Sequence, residues 1–249
     1  MKVAVCVKRV PSTASRLKIG ADGRSIDETG VEFVLNPYDE FAVEAALQLV
    51  EKAGGEVTIV SLGPDAATKE LRNCLAMGAH QAIHLKADGA LRDPLATARI
   101  LAETLKPLGT DVILFGRQAV DDDQAQVGLM VATLLELPAV PDIVKLELES
   151  GLVEVEREVE GALERYRVPL PCVLTTQKGL NEPRLPNMKG IMAAKKKTIE
   201  TRAPAAVAAG QVIESLELPP ERKGGRIVGE GAAAVPELLK LLRNEAGVL

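Results

Sequence analysis

Short apolar runs alternate with helical patterns from residue 2 to residue 135, and this alternation leaves few folds open. Residues 2–8 are apolar until they end in charge. Asn36-Pro37-Tyr38-Asp39-Glu40 then opens a helix, with Asn36 as N-cap and Pro37 at the first helical position. Its apolar face is Phe41, Ala42, Ala45, Ala46, Leu49 and Val50, and Gly54-Gly55 stops it. A second strand is expected over 56–62, a helix from Gly63-Pro64-Asp65 to about Met77, and a third strand over 82–85. A helix over 93–105, a fourth strand over 111–115 and a helix from about Asp123 to Leu135 complete the pattern. Strands separated by helices require right-handed crossovers, hence a parallel sheet with helices on both faces. The fold class is therefore α/β and Rossmann-like, and its ligand sites lie beyond the carboxyl ends of the strands.

After Pro141 the rhythm changes. Residues 143–148, 152–159 and 164–168 alternate apolar and charged side chains around Glu149-Ser150-Gly151, which predicts antiparallel strands with one wet face extending the sheet. A buried strand over 169–176 and a long loop follow. From 203 to 231 the chain is rich in Ala, Pro and Gly and matches no compact element, and Val235, Leu238, Leu239, Leu241 and Leu242 mark an amphipathic helix. The residues alone lead to an expected nucleotide-binding α/β domain over 1–200 and a C-terminal arm over 201–249 that packs either on the chain's own core or on another subunit.

Composition narrows the function. A net charge of −5 with both signs interspersed offers no field for a polyanion, and 2% aromatic residues supply few stacking platforms, so nucleic acid is excluded as an expected partner. The longest apolar run, about 127–140, is interrupted by Glu136 and Pro138 and is too short for membrane insertion. Cys6, Cys74 and Cys172 are odd in number and far apart, which suits buried thiols in a reducing compartment and a cytoplasmic location. No phosphate loop, no GxGxxG after the first strand, no nucleophile elbow and no metal-ligand spacing occurs, and His80 and His84 lack a catalytic neighbour. The chain is expected to have no catalytic residues and no metal.

The densest constellation is Gly116-Arg117-Gln118-Ala119-Val120-Asp121-Asp122-Asp123-Gln124-Ala125-Gln126-Val127-Gly128, which links the fourth strand to a helix. Two readings fit it. Its backbone N–H groups can receive a phosphate at the helix N-terminus, or its aspartates simply cap that helix. Three carboxylates favour capping, because they repel an anion. Asn36 to Asp39 divides likewise between a capped helix start and a ligand contact, and Leu62-Gly63-Pro64 gains interest because all these loops should converge on one crevice. Lys195-Lys196-Lys197 reads as a solvated charge run.

At these segments the sequence resembles the electron transfer flavoprotein beta subunit family. The pieces that carry the likeness are Val7-Lys8-Arg9-Val10-Pro11, Asn36-Pro37-Tyr38-Asp39-Glu40-Phe41-Ala42-Val43-Glu44, Leu75-Ala76-Met77-Gly78-Ala79 and the Gly116 to Asp123 loop. Arg157-Glu158-Val159-Glu160-Gly161 and Leu180-Asn181-Glu182-Pro183-Arg184 through Ile191-Met192-Ala193-Ala194-Lys195-Lys196-Lys197 follow in family order.

The resemblance implies a heterodimer whose alpha subunit holds most of a redox-active FAD while this chain buries a structural AMP. Carried over by position, the AMP pocket comprises Cys6, Asn36, Pro37, Tyr38, Asp39, Leu62 and the whole loop Gly116 to Val127. The stretch 181–197 corresponds to the family's recognition loop, which docks acyl-CoA or other dehydrogenases. The family often reads Arg-Tyr-Pro-Ser-Leu-Pro-Asn-Ile-Met there, so Met188 falls at the anchor leucine, Leu185 replaces the tyrosine, and Ile191 completes the docking set. Two alternatives remain beside this expectation: a stand-alone adenine-nucleotide sensor, and an electron-bifurcating relative with a second FAD in place of AMP.

Overall fold

The computed structural model describes residues 1–87, 93–220 and 224–249. The chain divides into two units, Met1–Leu216 and Glu217–Leu249.

The first unit is built on a nine-stranded sheet. In chain order its elements are β1 (Lys2–Cys6), the short β2 (Arg9–Pro11) and β3 (Phe33–Leu35), α1 (Pro37–Ala53), β4 (Glu56–Gly63), α2 (Thr68–Met77), β5 (Gln81–Lys86), α3 (Pro94–Leu105) and β6 (Val112–Gly116). Then come α4 (Val127–Leu135), β7 (Ala139–Glu149), β8 (Leu152–Val159), β9 (Ala162–Pro169), β10 (Cys172–Thr176), α5 (Met188–Lys196) and β11 (Ile199–Arg202). The strand order is β11-β5-β4-β1-β6-β10-β7-β8-β9, with β2 and β3 paired antiparallel in a separate ribbon. The predicted α/β sheet with an antiparallel extension is the one observed: β7, β8 and β9 run antiparallel, and every other neighbouring pair runs parallel.

Burial on both faces explains why the central strands read as unbroken apolar runs. On β1, Val3 and Val5 face a core shared with α1 and α2, whereas Ala4 and Cys6 face a second core shared with α3 and α4. The outer hairpins have a wet face instead. There Lys145 and Arg165 both reach Glu156, and Arg167 reaches Glu149.

One topological detail positions everything functional. From β1 the chain builds outward through β4 and β5, then crosses back to lay β6 on the other side of β1. The connections leaving β1 and β6 therefore diverge, which opens a crevice beyond the carboxyl ends of these strands.

The structure departs from the sequence expectations in several places: the β2–β3 ribbon was not expected, and the strand expected over 169–176 is shorter, as β10. The helix after the aspartates begins at Val127, not near Asp123, because Asp123 and Ala125 adopt left-handed backbone, at φ 51° and 52°, which no right-handed helix can contain. The stretch 181–197 is not all loop: its second half is α5, capped by Asn187 Oδ1 accepting from Gly190 N at 2.8 Å. Immediately after it, β11 pairs with β5 at the sheet edge, where no strand was expected.

In the second unit, a short turn leads into α6 (Val235–Leu241), which confirms the terminal helix, and Val235, Leu238 and Leu239 are exposed on it. No regular element occupies the described residues between 203 and 231, as composition predicted; residues 221–223 lie outside the described residues.

The seat of α5 depends on close approach. A side chain at Gly190 would run into the Ala76 carbonyl of α2, and Arg72 of α2 donates to the Ala194 and Lys197 carbonyls at 2.5 and 2.6 Å, closing the helix's C-terminus. Gly190→Ala is expected to lower stability by about 1–3 kcal/mol through this overpacking. Thermal unfolding beside the exposed-site control Met192→Ala checks it; equal melting temperatures would show that α5 is loosely seated.

Candidate nucleotide-binding site

A cavity of about 310 Å³ opens where the strand order reverses. That volume lies at the lower end of the roughly 300–1,000 Å³ typical of small-molecule sites. Its base is the strand ends: Cys6 of β1, Leu62 and Gly63 of β4, Phe115 and Gly116 of β6. The loop 117–126 and the start of α4 form one wall, and Pro94 and Thr97 of α3 form another. Arg9, Pro11 and Phe33 of the β2–β3 ribbon close the remaining side, with the Arg9 guanidinium stacked 3.5 Å from the Phe33 ring centroid.

Of the residues expected at a nucleotide pocket, the cavity brings together Cys6, Asn36, Asp39, Leu62, Gly116, Arg117, Gln118, Ala119, Asp121, Asp122, Gln124, Ala125, Gln126 and Val127. Pro37, Tyr38, Val120 and Asp123, expected there as well, are not on its wall. Val120 N donates to Asn36 Oδ1, Asp123 accepts from Gln118 Nε2 at 2.6 Å, and the Tyr38 carbonyl lies 3.1 Å from Thr176 Oγ1. Lys8, Arg9 and Phe33 line the cavity without having been foreseen there; Lys8 and Arg9 stood in a matching sequence segment, but nothing local assigned them a role.

Asn36 and Asp39 do different work from helix capping. Asn36 precedes α1, yet its side chain makes no cap bond. Its Nδ2 donates to Gln118 O at 2.8 Å and its Oδ1 accepts from Val120 N at 3.2 Å, so one amide clamps the loop as a neighbouring strand would. Asp39 is buried, and its two oxygens accept from Lys8 N at 2.7 Å and Gly116 N at 3.1 Å. It thus joins the exit of β1, the first turn of α1 and the exit of β6. Gly116 is required at that junction, because a Cβ there would overlap both the Asp39 carboxylate and the Tyr38–Asp39 backbone.

The three aspartates do not cap α4, whose N-cap is Gln126 without a side-chain bond. Lys8 Nζ instead donates to Asp121 Oδ1 at 2.8 Å and to Asp122 Oδ2 at 2.9 Å. Burial disfavours the ammonium, but Asp121 and Asp122 outweigh it and raise the Lys8 pKa. The repulsion expected from three carboxylates is thereby reduced at its source. Among the described residues, no acceptor takes the backbone N–H of Ala125, Gln126, Val127 or Gly128, and the buried Arg117 Nε has no hydrogen-bond partner. Arg117 Nε stands 3.6 Å from Asp142 Oδ1, outside hydrogen-bond distance. Free donors at a helix N-terminus, with an under-used guanidinium beside them, suit an anion such as a phosphate.

Other reactive groups fall away. Cys6, Cys74 and Cys172 are unpaired and buried; burial raises all three thiols above their ordinary range, Cys172 to about 12. They are poor nucleophiles and poor ligands in that state. His84 is fully buried, with Nε2 3.0 Å from the Gly63 carbonyl, and His80 Nδ1 accepts from Val57 N, so both are structural. Among the described residues, no group of three or more His, Cys, Asp or Glu side chains could hold a metal ion, and no helix is long and apolar enough to cross a membrane.

Comparison with known proteins identifies the scaffold. The electron transfer flavoprotein domain matches residues 24–207. The chain belongs to the electron transfer flavoprotein beta-subunit family. It is 39% identical to the electron transfer flavoprotein subunit beta of Bacillus subtilis, with all of both chains covered. It is 40% identical to that of Bradyrhizobium diazoefficiens, also over all of both chains. The protein of the same description from Homo sapiens is 38% identical over 90% of this chain and 91% of its own length. Family membership points to an electron-carrier subunit.

Asp39 gives the cavity a pH signature. Burial pushes its pKa from 3.8 up to about 7, against the pull of Asn36 and of the Lys8 and Gly116 N–H groups. The folded chain then holds this proton more tightly than the unfolded chain. The resulting stability is complete below the unfolded value and is lost as pH rises through the folded value of about 7. Asp39→Asn, which cannot ionise, is expected to flatten the decline between pH 5 and pH 8. Denaturant unfolding at both pH values checks it; an unchanged pH slope in the variant would show that Asp39 is ionised throughout.

Proposed function

We propose that this chain is the small subunit of a heterodimeric electron transfer flavoprotein, that it holds a structural AMP in the strand-end cavity, and that it helps to position the FAD carried by the alpha subunit. The observation that carries the reading is the paired state of Asp121 and Asp122 on Lys8, beside the free N–H groups of Ala125 to Gly128 and an Arg117 Nε that makes no hydrogen bond and only a 3.6 Å ion pair with Asp142. That arrangement fits a monoester phosphate approached from the backbone side, with Asn36, Pro37, Tyr38, Asp39, Gln118 and Val120 holding the loop in shape. The FAD, when bound, supplies the redox chemistry. This chain binds, orients and recognises, with no catalysis of its own.

Dehydrogenase docking falls to the stretch 181–197. There Leu185 is 89% exposed, Met188 76% and Ile191 39%, with Met192 also exposed and the exposed Lys189, Lys195 and Lys196 in the same stretch. Exposed Met suits a surface that meets several partners. The tail, residues 201–249, serves as the arm against the alpha subunit, supported by the exposed apolar residues Val235, Leu238 and Leu239 of α6. The unpaired thiols fit a reducing, cytoplasmic setting.

Co-expression with the alpha subunit, denaturation of the yellow complex and chromatography of the released nucleotides test the assignment. One FAD and one AMP per heterodimer are expected. Two FAD and no AMP would instead establish the bifurcating arrangement, and a flavin-free homodimer would establish a nucleotide sensor. Lys8→Gln leaves Asp121 and Asp122 uncompensated and is expected to weaken AMP retention by about 1–3 kcal/mol; full AMP occupancy after extensive dialysis would remove the phosphate from this loop.

Met188→Ala and Leu185→Ala, assayed separately, are each expected to slow electron transfer from a dehydrogenase by forfeiting up to about 1.5–3 kcal/mol of apolar burial. FAD content should not change. Transfer at the wild-type rate in both variants would move the docking surface elsewhere.

A further inference from the structure

The segment that leads from β10 to the exposed apolar group is held along one face of α1. Thr176 Oγ1 is 3.1 Å from the Tyr38 carbonyl, and Asn181 Nδ2 donates to the Phe41 carbonyl at 3.0 Å. Arg184 then engages the same helix further along. Its Nε and Nη2 donate to Glu44 Oε2 and Oε1 at 2.8 and 2.9 Å, a fork-to-fork pair, and its own backbone N–H adds a third bond to Glu44 Oε2 at 3.1 Å. The outer edge of the guanidinium spans Glu51, with Nη1 2.5 Å from Oε1 and Nη2 3.1 Å from Oε2.

Glu44 is a buried carboxylate, and its residual neighbour Gln48 donates to Oε1 at 2.9 Å, so the acid cannot swing away without losing every partner. Burial alone would raise the Glu44 pKa, but the bonds from Arg184 and Gln48 outweigh it and lower it. The residue immediately after this clamp is Leu185, the most exposed of the apolar group, and Met188 opens α5 three positions later. Pro183 and Pro186 bracket the pair and restrict the backbone on either side.

We infer that Arg184 is a positioning residue for partner docking: its double fork onto Glu44 and Glu51 fixes the backbone from which Leu185 and Met188 project. The inference rests on the docking role proposed above. A loop held in its docking shape before encounter loses less conformational freedom on association, so the clamp acts on affinity for the partner and leaves the flavin and its surroundings untouched. Lys cannot replace the arginine fully, because one ammonium cannot span two carboxylates in a plane.

The test uses the heterodimer with its flavin and nucleotide, reduced by an acyl-CoA dehydrogenase acting on its acyl-CoA substrate. Arg184→Ala is expected to raise KM for the dehydrogenase about tenfold or more, the effect of releasing a few side chains and their backbone. Maximal turnover and FAD content should stay unchanged. Arg184→Lys should fall between, and Glu51→Gln, which removes only the exposed half of the clamp, should have the smaller effect. Backbone amide exchange across 181–191 should accelerate in Arg184→Ala and less in Arg184→Lys. Wild-type exchange there in Arg184→Ala overturns the clamp whatever the kinetics show, and so does an unchanged KM in a variant set where Leu185→Ala raises it. If exchange accelerates while neither Leu185→Ala nor Met188→Ala changes KM, the loop is clamped but the docking reading, and with it the positioning role, is overturned.

Discussion

Asp39 stands where three pieces of chain must meet. A doubly wound sheet builds outward from its first strand and then reverses, and at the reversal the connections leave β1 and β6 in opposite directions with their last backbone donors unpaired. The two oxygens of Asp39 take one donor from each side, the N–H of Lys8 and the N–H of Gly116. The carboxylate also belongs to the first turn of α1, so the helix, both strand ends and the mouth of the crevice share one reference point. Gly116 has no side chain because that point lies where a Cβ would be. Without this bridge the crevice would still exist topologically, but its width would not be set.

Around that bridge the charge is organised in layers. Asn36 holds the loop that follows β6 through both ends of its amide, and Lys8, the residue whose own N–H reaches Asp39, sends its ammonium to Asp121 and Asp122. The same short segment after β1 therefore fixes the strand end by its backbone and neutralises the loop by its side chain. What remains without a hydrogen bond is a set of donors among the cavity-lining residues: backbone N–H groups at the start of α4 and the Arg117 Nε. The loop looks acidic in sequence, whereas in space it offers donors.

The sequence made the central sheet plain because a strand buried on both faces has no polar residues to confuse it, and residues such as Val3, Ala4, Val5 and Cys6 leave no other reading. It made the cavity's location plain because crossover handedness puts every strand-to-helix loop at one end. It misled wherever the deciding partner is far along the chain. The Asp121–Asp122 pairing spans over a hundred positions to Lys8, so local pattern could see only capping and repulsion. For α5 the cause is different. Ala194 is its one buried residue, and Leu185, Met188 and Met192 around it are exposed, so no apolar stripe announced a helix. Its cue was Asn187 ahead of Gly190, a cap that a short, glycine-containing segment makes easy to pass over.

The two surfaces that matter are linked through α1 by geometry. Its first turn carries Asn36 and Asp39 at the cavity, and the face that continues from Tyr38 through Phe41 and Glu44 to Glu51 carries the segment leading to Leu185 and Met188. A helix is stiff over this length, so α1 holds the strand-end cavity and the segment anchored on its side at a fixed separation. Under the docking role proposed above, a contact that is small must be well placed to be both brief and productive. The buried Glu44 is the cost of such placement: an isolated carboxylate at that depth would be destabilising, and the forked guanidinium of Arg184, with Gln48 beside it, makes its burial tolerable. The burial of Glu44 and the pose of the apolar group thus depend on the same ion pair, further along α1 from the cavity.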